Sequence, residues 1–405
     1  MKDFCAAAAA GEVAELADRQ LEALAAEEST IQAFTCLDPA AARAIVHRSL
    51  QAETPGPLAG ALVGIKDIIA TADFPTHYGS PFKDNLGPRI DACCVGEVKR
   101  LGGAVLGKTV STEIAFALPG PTVNPHDHAR TPGGSSSGSA AAVAAGFCSF
   151  AIGTQTGGST IRPAAFCGIT GYKPTFGLLH TDGVQAISTT FDHLGLFARS
   201  PRDIWLMTSA MLGQPEVLEP RAPQRLLHLR MPAAVPLEDE MRARMDGLAD
   251  TLGAETRELP FPLDDFAHLQ ETLCYWEAAR ILLLPGRMRL AEGLTRLLTP
   301  YVAMDVSEYA AARQRRAAYQ AQFAELAAPF DAILCPAALG VAPLGLQQTG
   351  DALMSRLWTI LHVPNITVPM WRSSAGLPLA PQLIGKLGED RALLQVAQWL
   401  LNQRS

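Results

Sequence analysis

Thr131 to Pro174 reads TPGGSSSGSAAAVAAGFCSFAIGTQTGGSTIRPAAFCGITGYKP. Two serine-bearing glycine turns, Gly133-Gly134-Ser135-Ser136-Ser137-Gly138 and Gly157-Gly158-Ser159, bracket a short apolar segment. Glycine opens backbone conformations closed to other residues, so a serine among glycines can turn its hydroxyl and the neighbouring N–H groups toward a ligand. A nucleophile beside an oxyanion-binding turn needs that combination. Between the turns, the alanines of 139–146 predict a short helix and 147–153 a buried strand, so a helix follows the first turn and a strand delivers the second.

Upstream, 61–69 (ALVGIKDII) is an apolar run of strand length broken only by Lys66-Asp67. A lysine inside a buried strand is costly unless its charge is removed or paired. It fits either an edge strand with a snorkelling side chain or a desolvated amine whose lowered pKa lets it act as a base. Two other motifs are decoys. Gly102-x4-Gly107-Lys108-Thr109 has P-loop spacing, but a helix (92–101) precedes it and the strand (104–109) fills the loop itself, the reverse of the required order. Gly134-Ser135-Ser136-Ser137-Gly138 matches a nucleophile elbow centred on Ser136, yet loop rather than strand precedes it and His362 is a lone candidate partner.

The 131–174 stretch resembles the signature of the amidase signature family, in which two serines 24 residues apart work with one upstream lysine; Ser159 follows Ser135 by 24 positions here. Lys66-Asp67, two residues after Gly64, resembles that family's lysine motif, and 171–177 and 192–195 continue its pattern. The resemblance implies one large α/β domain over residues 1–405, a central mixed sheet with helices on both faces. Its signature core would span 61–200, a variable, substrate-shaping helical region about 213–330, and a sheet-completing section 331–405. It also implies Ser159 as nucleophile, Ser135 as a bridging serine on a cis peptide, Lys66 as base, and no metal or organic cofactor. Thr156, Gly157, Gly158 and Ser159 would form the oxyanion hole, with Gly134, Ser136 and Arg162 at the substrate.

Arg162 lies three residues after Ser159 where the common family form has two, and Gln155 stands where many relatives carry aspartate. That variant resembles the malonamate-hydrolysing bacterial branch, which implies that Arg162 grips the carboxylate of a short amide. A structural arginine pinning the loop is the competing reading. A broader aliphatic or aryl acylamidase and an amidotransferase A-type glutaminase are the alternatives for the whole chain, and relatives imply a homodimer.

Composition agrees with a small-molecule enzyme. Of 405 residues, 48% are hydrophobic and 18% charged, ample for a buried core. A net charge of −7 without a Lys/Arg block argues against nucleic acid or an anionic membrane as partner. The apolar run of residues 4–10 is short and flanked by Asp3 and Glu12, which predicts a helix start rather than a signal peptide. Eight cysteines without ligand spacing predict reduced thiols, and hence the cytoplasm.

The flanks are read more coarsely. Residues 11–50 predict two helices joined near 31–38; a Pro-rich connector after 213 leads to a strand near 226–229 and long helices. Near the end come a strand over 330–336, a helix over 353–361 and a closing strand over 376–385. Pro381 lacks an N–H for the ladder, which predicts an edge or a bulge there.

Overall fold

The computed structural model describes residues 2–116, 118–283 and 288–404. Thirteen strands occur among them: β1 (Phe34–Leu37), β2 (Leu62–Lys66), β3 (Ala104–Thr109), β4 (Phe150–Gln155), β5 (Thr170–Lys173), β6 (His193–Ala198), β7 (Leu226–Arg230), β8 (Glu255–Glu258), β9 (Ala332–Pro336), β10 (Asn365–Thr367), β11 (Trp371–Arg372), β12 (Pro378–Leu379) and β13 (Pro381–Ile384). All but β11 and β12 join one sheet in the order β1-β3-β2-β4-β6-β5-β10-β13-β9-β7-β8. β2 runs parallel to β3 and β4, and β7 to β8 and β9; the pairings between β4 and β9 are antiparallel. The result is a mixed sheet with helices on both faces, a single large α/β domain.

Period-two alternation divides the interior. Along β2, Leu62 joins a cluster with Leu21, Leu24, Ala140, Val143 and Phe147, while Val63 and Ile65 face the larger cluster that includes Phe150, Ile152 and Leu196. The Ser137–Ala145 helix is buried along its first seven residues, as a helix apolar on every side must be. Gly146 ends it at φ +80°, and β4 starts three residues later than the sequence predicts because Phe147 still bonds back to Ala142. The start of the chain is helical from Phe4 to Ala9, with Asp3 capping Ala6 N–H at 2.7 Å.

Several elements differ from expectation. The link between the first two long helices contains β1, which pairs with the outer side of β3. Strand β8, with all four residues exposed, closes the other edge. The closing strand is not an edge: β13 lies between β10 and β9, and the chain breaks at Ala380 so that Pro381 takes the first strand position, where a missing N–H is tolerated. Among the described residues no helix is long and apolar enough to cross a membrane, and no group of three His, Cys, Asp or Glu could hold a metal ion.

Candidate active site

Because β2 and β4 are parallel neighbours, their carboxyl ends emerge at one edge of the sheet, the place where open α/β sheets bind ligands. β2 ends on Lys66 and β4 on Gln155, which runs straight into the second glycine turn. Lys66 is fully buried, and its Nζ donates to Ser135 Oγ at 2.7 Å and to Thr154 Oγ1 at 2.8 Å. Burial holds its pKa well below the usual lysine value, with only the carboxylate of Asp192 pulling the other way. A neutral amine bonded to a serine hydroxyl is a base able to accept that hydroxyl's proton.

The first serine turn is locked by close packing. Gly133 has φ +86°, and a Cβ there would sit 2.8 Å from Pro163 Cα. The Gly134–Ser135 peptide bond is cis. Ser136 is turned away: its Oγ bonds the carbonyl and N–H of Thr154, so this residue, expected at the substrate, is engaged by β4 instead. The Gly134 carbonyl likewise points at protein, accepting from Arg162 Nη2 at 2.6 Å.

The second turn is held from three sides. The carbonyls of Thr156, Gly157 and Gly158 accept from Gln270 Nε2 (2.6 Å), Thr359 Oγ1 (2.7 Å) and Arg162 N (3.1 Å). Gln155 Oε1 accepts from the N–H groups of Thr160 and Ile161 at 2.8 and 3.1 Å, capping the Ile161–Cys167 helix. The turn's carbonyls therefore face protein. Thr156, Gly157, Gly158 and Ser159 all line a cavity of about 500 Å³.

That cavity is walled by Phe116, Ile187, Cys274, Tyr275 and Leu297 on its apolar side, and by Arg162, Gln270, Glu271, Asp351 and Arg356 among its polar groups. Arg162 is 6% exposed. Burial lowers its pKa to about 10, so it stays charged at neutral pH. Its Nη2 bonds Gly134 O and, at 3.2 Å, Thr349 Oγ1, while its Nε is buried without a protein partner. Arg162 thus pins the loop, as the competing reading expects, and also lines the cavity.

Residues that sequence reasoning passed over complete the site. Asp192 receives Thr156 Oγ1 at 2.6 Å and the N–H groups of Ile187 and Ser188; burial raises its pKa to about 6. Glu277, on the Leu263–Leu282 helix, accepts from Ser188 Oγ and Thr190 N–H, so the region expected to shape the pocket is latched onto the 187–192 loop. No spacing signal marks Thr154, Gln270 or Glu277, which reach the site from separate elements. The decoys are structural: Lys108 Nζ lies 3.9 Å from Asp67 and bonds Thr76 Oγ1 at 2.6 Å, and His362 bonds Thr190 O at 2.7 Å.

Known proteins resemble this chain in sequence and fold. The amidase family model matches residues 15–234. The A subunit of glutamyl-tRNA(Gln) amidotransferase from Roseiflexus sp. (strain RS-1) is 31% identical over 448 aligned residues, covering 94% of this chain and 91% of that protein. The chloroplastic/mitochondrial counterpart from Vitis vinifera is 40% identical over 211 residues, 49% of this chain and only 38% of that protein's length. A crystal structure of an amidase superposes with a TM-score of 0.85 at 28% identity, covering 97% of this chain and 96% of its own. A lysine-bonded serine, a glycine turn bearing a second serine and these likenesses converge on one conclusion: the chain belongs to the amidase signature family, whose members act on the carbon–nitrogen bonds of amides.

Proposed function

We propose that the chain hydrolyses a small amide bearing a carboxylate, of which malonamate is the simplest example, to the acid and ammonia. Ser159 Oγ attacks the amide carbon, and its proton passes through Ser135 to neutral Lys66. The negative charge that develops on the carbonyl oxygen is met by N–H groups of the Thr156–Ser159 turn. When the C–N bond breaks, the proton returns through Ser135 to the departing nitrogen, and water then releases the acyl group from Ser159 by the same relay. The observation that carries the substrate assignment is Arg162: a buried, charged guanidinium in the wall of the cavity whose side-chain hydrogen bonds among the described residues go to neutral oxygens, Gly134 O and Thr349 Oγ1. An unpaired buried charge is costly, and a substrate carboxylate would offset that cost.

One observation favours a wider range. The cavity, about 500 Å³ with apolar walls at Phe116 and Tyr275, falls in the range of about 300–1,000 Å³ that takes drug-sized ligands. Longer acyl groups than malonyl therefore fit the same proposal. The likeness to the amidotransferase proteins supports a second reading, glutamine as ammonia donor within a complex. We further propose a cytoplasmic homodimer that needs only the small amide as partner, which size-exclusion chromatography with light scattering would check.

The test is ammonia release from malonamate, propionamide, glutamine and an aryl amide, by the wild type, Ser159→Ala and Arg162→Ala. Ser159→Ala should lose every activity, and Arg162→Ala should lose malonamate selectively. A wild type that prefers neutral amides would sink the carboxylate assignment, and one that prefers glutamine would favour the amidotransferase reading.

A further inference from the structure

We infer that Arg356 is a second specificity-determining residue, and that the anion subsite is a pair of guanidiniums, Arg162 and Arg356, gripping one carboxylate. This rests on the reading above that the substrate is anionic. The two arginines come from different helices, Ile161–Cys167 and Leu353–Ile360, and line the same cavity. Thr349, Gly350, Asp351 and Ala352 line the cavity between them. At one end, Thr349 Oγ1 accepts from Arg162 Nη2 at 3.2 Å, and a Cβ on Gly350 would lie 3.6 Å from Arg162 Cδ. At the other, the start of the Leu353–Ile360 helix is seated on the second glycine turn: a Cβ on Gly158 would lie 3.0 Å from Ala352 Cβ and 3.2 Å from Ser355 Cβ. Arg356 is the next residue, so its backbone is fixed relative to the turn that bears Ser159.

The hydrogen bonds divide the work between the pair. Arg162 has one Nη engaged by Gly134 O and Thr349, which ties it to the peptide preceding Ser135 and leaves it fewer donors for a ligand. Arg356 is half-buried, and among the described residues its guanidinium has neither a hydrogen-bond acceptor nor a carboxylate within 4 Å; its Nε is buried and unpartnered, as is that of Arg162. The two cations sense one another, since Arg356 lowers the proton affinity of Arg162 while Asp351 raises it. Asp351 acts on Arg162 from a distance, but it and Glu271 are exposed and neither forms an ion pair with either arginine among the described residues; Asp351 Oδ1 takes the Leu353 N–H at 2.8 Å. Two like charges facing one space with donors unfilled are unfavourable without a counter-charge. A carboxylate, with two oxygens and about four lone-pair sites, accepts from both at once.

The test compares Arg356→Gln and Arg356→Lys with the wild type, measuring kcat and KM for malonamate and for neutral propionamide, and inhibition of propionamide turnover by malonate. Arg356→Gln should raise the malonamate KM and the malonate inhibition constant by about 10- to 100-fold, the range of a lost charge-assisted hydrogen bond. The kcat/KM for propionamide should fall far less than that for malonamate, circular dichroism should show that the variant is folded, and Arg356→Lys should recover part of the loss. A malonate inhibition constant unchanged in Arg356→Gln, or an equal loss for both substrates, would overturn the inference. The two levels separate cleanly: a wild type that prefers malonamate with an Arg356→Gln that does so equally defeats the arginine pair alone, whereas a wild type indifferent to the carboxylate defeats the substrate reading and the pair with it.

Discussion

Lys66 Nζ sits 2.7 Å from Ser135 Oγ and 2.8 Å from Thr154 Oγ1, with no part of the lysine exposed to solvent. The two hydroxyls fix the direction of the amine, and burial disfavours its charged form. Replacing the amine while keeping the chain volume, Lys66→Met, should lower kcat by about 10²–10⁴-fold, the usual worth of general acid–base catalysis. Circular dichroism should show an intact fold. Activity retained within tenfold would remove Lys66 from the mechanism.

The same burial predicts the pH profile. As the proposed base, Lys66, whose pKa is lowered well below its ordinary value, should work above that lowered value and be lost as pH falls through it. The rate should therefore show an acid limb set by a group far below pH 10.5. Steady-state rates across the pH range check this, with Ser159→Cys as the comparison that retains the base but changes the nucleophile. A limb near the ordinary lysine value would mean that Lys66 is solvated during turnover.

Thr154 is a positioning residue. Thr154→Val keeps the shape and removes the acceptor, which should cost about 1 kcal/mol of stability and turn the lysine away from Ser135. The expected signature is a fall in kcat near tenfold with little change in KM, and recovery in Thr154→Ser. A change confined to thermal stability would make it merely structural.

Gln155 holds the second turn by accepting two backbone N–H groups. Gln155→Leu leaves the Thr160 and Ile161 N–H groups unpaired, at about 1–3 kcal/mol, and should loosen the turn that carries Ser159. Gln155→Glu retains the acceptor and should restore most of the activity. Denaturant melts alongside kcat would measure both effects.

Lys173 is buried too, donating to Val363 O at 2.6 Å and Pro174 O at 3.2 Å, with its pKa lowered to about 7. Between that value and the unfolded lysine value near ~10.4, the unfolded chain binds more protons than the folded one, so this group makes stability rise with pH. The slope from one such group is at most about 1.4 kcal/mol per pH unit. Lys173→Met should flatten the rise between pH 7 and 9 relative to the wild type in parallel denaturant titrations. Parallel curves for the two proteins would show that Lys173 is charged in the fold.

Much of the site was legible because it is local. Glycine turns, the 24-residue interval between Ser135 and Ser159, and a lysine in an apolar run are properties of chain order, and each implies its chemistry before folding. The helix and strand between the two turns were legible for the same reason, since periodicity and propensity act over a few residues, whereas the Ile161–Cys167 helix and strands β5, β6 and β10 were not read from local pattern. Even so, β1 and β8 escaped notice: both are short edge strands whose residues need no apolar alternation, and only pairing with β3 and β7 defines them.

What the amino-acid order supplied by itself was the proposed reacting set, Lys66, Ser135 and Ser159, and a resemblance that implies the α/β framework presenting it. The tertiary structure alone decided how that set is tuned and what surrounds it. Thr154 on Lys66, Gln270 on Thr156, Glu277 on the 187–192 loop, and Arg356 beside the Ser159 turn are contacts across 88, 114, 89 and nearly 200 residues of chain. Pro381 likewise takes an interior position, the first residue of β13 just after the break at Ala380, and only the pairing of β13 between β10 and β9 decides that it is not an edge. Burial, pKa and long-range hydrogen bonds depend on which elements the sheet brings together, and that is a property of the folded molecule rather than of any stretch of it.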